Sequence, residues 1–111
     1  MEEPKERLER NREGILTEIK RLKATLEYEV ERDLEEGDPA LCEREKNLAL
    51  LQNMERELGS VEHAISLLER GRYGICENCG ERIDPARLKA IPQATLCLRC
   101  KAERERKAVR G

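Results

Sequence analysis

Apolar residues in the first third of the chain recur three, four or seven positions apart: Leu8, Ile15, Ile19, Leu22, Leu26, Val30 and Leu34. That spacing puts them on one face of a helix. From Lys5 to Glu36 there is no proline and a single glycine, so one long helix is expected. A second run follows: Leu41, Leu48, Leu51, Met54, Leu58, Val61, Ile65 and Leu68, its last six members in strict coiled-coil a/d spacing. Between the runs lies EEGDPAL. Gly37 suits the position just past a helix, Asp38 an N-cap and Pro39 a first helical turn, so the chain should reverse here. The two runs also share an antiparallel register. Leu8 falls opposite Ile65, Ile15 opposite Leu58, Ile19 opposite Met54 and Leu22 opposite Leu51, with Leu26 and Leu48 one step off. At ~1.5 Å rise, helices of about 30 residues make a rod about 45 Å long.

Composition agrees with a thin fold. The 111 residues are 41% charged and 38% hydrophobic, with no Phe, no Trp and two Tyr. One domain, or a small module with an extension, is expected, and two-helix packing rather than a layered core. No apolar run reaches membrane-spanning length and MEEPKERLER carries no export signal, so a cytoplasmic protein without membrane contact is expected. The formal net charge of −2 conceals a segregation. Residues 27–45 hold nine acids against two bases, whereas residues 81–111 hold nine bases against four acids. Tip and far end are opposite in sign.

Four of the five cysteines fall in CENC and CLRC, separated by the seventeen residues 80–96. In a chain without export features such pairs favour metal over disulfides. Two Cys-x-x-Cys turns deliver four soft thiolates at the reach tetrahedral Zn²⁺ requires, making Cys76, Cys79, Cys97 and Cys100 the ligands of one structural zinc. A redox dithiol or an iron–sulfur site is weighed against this and set aside, because no thioredoxin-like strand–helix context surrounds the pairs. Gly80 fits the tight turn after the first pair, and Pro85 and Pro92 discourage a continuous helix between the pairs. Arg82, Arg87, Lys89, Arg99 and Lys101 surround a centre of formal charge −2 and offset part of it. So small a finger should owe its stability to the metal.

The remaining reactive residue types suggest little chemistry. Cys42 stands alone on the second helix and reads as a structural thiol. His63 falls off the apolar seam and reads as an exposed helix residue, not a ligand. Four thiolates leave no open metal position, and there is neither a Ser/His/Asp set nor a phosphate loop, so no enzyme is expected. The basic end raises the question of nucleic acid. Only Tyr73 is available there for base stacking, and the acidic rod repels phosphate, which argues against direct DNA binding.

GRYGICENCGERIDPARLKAIPQATLCLRCK resembles the zinc-finger signature of the DksA/TraR family at Gly71, Tyr73, Gly74, the four cysteines, Gly80, Ile83, Arg87, Leu88, Ala90, Pro92, Ala94 and Leu96. A long helical hairpin turning at Asp38-Pro39-Ala40 is also that family's plan. The resemblance implies a partner, bacterial RNA polymerase, with the coiled coil placed in the secondary channel and the zinc end at its rim. It implies tip contacts from Glu35, Glu36, Asp38, Pro39 and Ala40, and contacts at the zinc end from Arg87, Lys89 and Lys101. Two positions depart from the family pattern at the tip: a second Asp and a following Ala are replaced by Leu41 and Glu43. Ile91 stands where an Arg linked to alarmone binding is frequent, which argues against an alarmone response.

The expected fold is therefore mostly α. An antiparallel coiled-coil hairpin spans 1–70 with its acidic tip near 33–45, a four-cysteine zinc finger spans 71–101, and a basic helical tail spans 102–111. The expected function is that of a monomeric, non-enzymatic transcription regulator that binds RNA polymerase. The rivals are a structural or adaptor coiled coil that pairs with another helix, and a nucleic-acid-binding finger using residues 82–107.

Overall fold

The computed structural model describes residues 3–36 and 41–110, and side chains within 3–28 and 43–108. Four helices follow in order: α1 (Pro4–Glu36), α2 (Leu41–Glu69), α3 (Pro85–Ala90) and α4 (Leu98–Arg110). The expected turn residues Gly37, Asp38, Pro39 and Ala40 lie outside the described residues, as do the side chains of Glu35, Glu36, Leu41 and Cys42. No described helix is long and apolar enough to cross a membrane.

The chain divides into two compact units, Arg10–Gly59 and Met1–Glu9 with Ser60–Gly111. In the first, stretches of α1 and α2 joined by only four residues pack on each other, which requires them to run antiparallel. Ile19 and Leu26 are buried; Ile15, Leu22, Leu51, Met54 and Leu58 are half-buried, since a helix pair covers each seam from one side only.

Leu48 departs from the expected seam. It is 43% exposed, while Asn47 and Arg44 are half-buried. Continuing the a/d spacing of Leu58, Met54 and Leu51 towards the N-terminus of α2 lands on 47 and 44, not 48. Helical geometry prevails over the apolarity of a single residue, and Arg44 can lay its methylene stem along the seam.

In the second unit Leu8, Val61, Ala64 and Leu67 are buried and Ile65 and Leu68 half-buried. The buried arc of α2 is thus wider here than a coiled-coil stripe. Its last turns pack within the unit that also contains the start of α1 and the finger, so more than one face is covered.

Gly14 and Gly59 lie inside α1 and α2, and a Cβ at either meets nothing within 4 Å. Helix-interior glycine is disfavoured against alanine by ~0.5–1 kcal/mol. Gly14→Ala and Gly59→Ala are each expected to raise stability by about that amount in denaturant titrations; a loss would show that the glycines serve a bend.

Candidate metal centre

Helix α2 ends in a paired C-terminal cap. The Arg72 N–H donates to the Leu67 carbonyl at 2.8 Å and the Gly71 N–H to that of Leu68 at 3.1 Å, with Gly71 at φ 72°. Only glycine adopts that backbone without strain, which is why the helix stops where the sequence indicated. A short antiparallel bridge between Ile75 and Arg82 then closes the first thiol turn. Within it Cys76 N–H donates to the Glu81 carbonyl at 2.8 Å, and Gly80 N–H, at φ 77°, to that of Cys76 at 3.0 Å.

Pro85 starts α3 rather than interrupting a helix. Asp84 caps it, its carboxylate accepting from the Ala86 N–H at 3.0 Å. After Pro92 the chain returns to the first turn, where Glu77 N–H donates to the Thr95 carbonyl at 2.9 Å. Cys97 directly precedes α4 and Cys100 lies in its first turn. The tail helix therefore begins within the second thiol pair, at Leu98, and holds a ligand itself.

These turns bring the sulfurs of Cys76, Cys79, Cys97 and Cys100 within 4.8 Å of one another, with Cys79 and Cys97 at 3.8 Å. A tetrahedral zinc with bonds of about 2.3 Å places its sulfurs about 3.8 Å apart, so the set fits the ion. Cys76 and Cys100 belong to the finger's apolar core with Ile83 and Leu96, against which Leu88 and Cys97 pack. Burial pushes the Cys76 thiol up, but main-chain N–H groups of Cys97, Cys79 and Asn78 outweigh it and bring it down to about 6 from 9.0. The Cys97 thiol is lowered chiefly by the main chain of Cys100. Cys100 has the side-chain amide of Asn78 pulling it down, yet neighbouring Cys97, burial, Cys76 and Cys79 push it up to about 12. Four such thiols do not ionise together unless a cation joins them.

Two side chains fasten the finger locally. The Tyr73 hydroxyl donates to the Pro92 carbonyl at 2.8 Å; its burial raises the phenol's pKa, with nearby Arg7 opposing. Arg7, near the start of α1, donates to the Lys89 carbonyl. Arg87, expected as a contact residue, is half-buried and donates to the Leu96 carbonyl at 3.4 Å, whereas Lys89 and Lys101 are exposed.

His63 is exposed, as expected, but it has a partner the sequence did not reveal: its Nε2 lies 2.6 Å from the Glu77 carboxylate inside the first thiol turn. Their side chains are 48% and 38% exposed, so the link is a surface pair. His63→Ala is expected to cost less than ~1 kcal/mol in a denaturant titration of the zinc-loaded protein; a larger cost would make the pair a structural latch.

Residues 71–106 match the prokaryotic dksA/traR C4-type zinc finger family. An uncharacterized protein of Aquifex aeolicus is 43% identical over 65 residues, 58% of this chain and 45% of its own. The chain thus spans about half that relative's length. The RNA polymerase-binding transcription factor DksA of Haemophilus influenzae is 36% identical over 104 residues, 89% of this chain and 71% of its own. The structure of transcription factor DksA2 from Pseudomonas aeruginosa superposes with a TM-score of 0.73 at 33% identity, covering 97% of this chain and 84% of that one. Cys76, Cys79, Cys97 and Cys100 hold one structural zinc, and the chain belongs to the DksA/TraR family.

Proposed function

We propose that this protein regulates transcription by binding bacterial RNA polymerase, with no enzymatic activity of its own. The hairpin tip enters the secondary channel and the zinc end stays at its rim. The observation that carries this reading is the likeness to a named RNA polymerase-binding transcription factor over 89% of the chain, hairpin and finger together. Physical fit supports it. A pair of helices is about 20 Å across, narrow enough for a channel that excludes a globule. Nine acids against two bases over residues 27–45 give the tip a charge suited to a centre built around Mg²⁺ and basic side chains.

In this reading Glu35, Glu36, Asp38, Pro39 and Ala40 meet the polymerase near its catalytic centre. Lys89 and Lys101 touch the rim, and Arg87 acts there by shaping the finger. The protein works as a cytoplasmic monomer and makes no direct contact with DNA. Leu41 and Glu43 give the tip a regulatory output of its own.

A photo-crosslinker at residue 38, with saturating core polymerase, tests the reading. Labelling around the polymerase active centre is the expected result. Crosslinks confined to the outer surface would overturn insertion, and a dimer in sedimentation with no polymerase bound would favour the adaptor alternative. Charge reversal at the tip (Glu35→Lys, Glu36→Lys and Asp38→Lys together) should weaken polymerase binding about ten-fold or more at low salt, read by co-purification.

A further inference from the structure

Main-chain N–H groups lower the Cys76 and Cys97 thiols, a contribution independent of side-chain identity. Cys100 is served by a side chain that this sequence chooses: the Asn78 Nδ2 amide donates to its Sγ at 3.3 Å.

Asn78 is the residue before the second cysteine of CENC and reaches the last cysteine of CLRC, so its side chain ties one thiol turn to the other.

The donor suits its surroundings: Cys100 is buried, where a neutral amide satisfies a thiolate without adding a charge to be desolvated.

We propose that Asn78 is a positioning residue that retains zinc in this finger, clamping the last cysteine of the opposite Cys-x-x-Cys turn. Outer-shell partners of this kind are worth about 10–100-fold in metal affinity when lost.

The test uses the full chain loaded with zinc, in competition with a chromophoric chelator at fixed pH, and with Co²⁺ in place of zinc for spectroscopy. Asn78→Ala should weaken zinc by about ten-fold. The sulfur-to-cobalt charge-transfer bands should move to lower energy as the Cys100 thiolate loses its donor. Asn78→Ser, which keeps a shorter donor, should recover part of the affinity lost in Asn78→Ala; it also serves as the readable variant if Asn78→Ala does not fold. Leu98→Ala, an exposed residue of the second thiol pair, should leave both readouts unchanged. Wild-type affinity and spectrum in Asn78→Ala would overturn the proposal. So would an equal loss in Leu98→Ala, which would assign the effect to the finger's packing and not to the donor.

Discussion

Removing the zinc is expected to unfold residues 71–101 while much of the helix in Arg10–Gly59 survives. Two of the four buried members of the finger's core, Cys76 and Cys100, are themselves metal ligands. What remains, chiefly Ile83 and Leu96, is too little apolar surface to offset the ordering entropy of some 30 residues, a size well below the roughly 40 residues at which metal-free domains become viable. Structural zinc contributes about 10–16 kcal/mol in comparable peptides, so the effect is close to all-or-none for the finger. Cys76→Ser should reproduce it.

Acid should act in the same direction. The Cys76 thiol is lowered from 9.0 to about 6, so its thiolate favours the folded finger most fully above the ordinary value. For the metal-free thiol that contribution is lost as pH falls through about 6; bound zinc competes with the proton and carries the loss to lower pH. Amide spectra before and after chelation, and zinc release against pH, check both statements. A finger whose spectrum is unchanged after complete zinc removal would refute the account.

The second large effect is at Leu8, which is 0% exposed. Leu8→Ala is expected to destabilise the zinc-loaded protein by about 2–5 kcal/mol, a large share of the roughly 5–15 kcal/mol typical of a folded domain. The contrast with Leu48 makes the prediction sharp. Both leucines belong to the apolar pattern, but Leu48 is 43% exposed and Leu48→Ala should change stability by less than about 1 kcal/mol. Equal shifts in denaturant midpoint for the two variants would contradict the packing described.

Much of the fold was legible because it depends on local rules. The 3-4 repeat marked both long helices, Gly71 marked the end of α2 through its left-handed backbone, and the spacing of the thiol pairs named the ligands. Asp84 and Pro85 carry a helix-start signature, and α3 begins there, although prolines flanking the stretch had suggested only an interruption. The seam was read correctly where apolarity and the a/d period coincide, as at Leu51, Met54 and Leu58. It was misread at Leu48, where they diverge.

The sequence by itself determined the elements and the metal, since helix period, glycine backbone freedom and thiolate chemistry act over a few residues. Only the tertiary structure decided what meets across long separations. It buried Ala64 and Leu67 by packing the end of α2 into the unit that holds the finger, set His63 beside Glu77, and aimed Asn78 at a sulfur of the opposite turn. Polar residues have no periodic signature, because a donor is useful only where folding happens to bring an acceptor, and that placement is a property of the assembled chain.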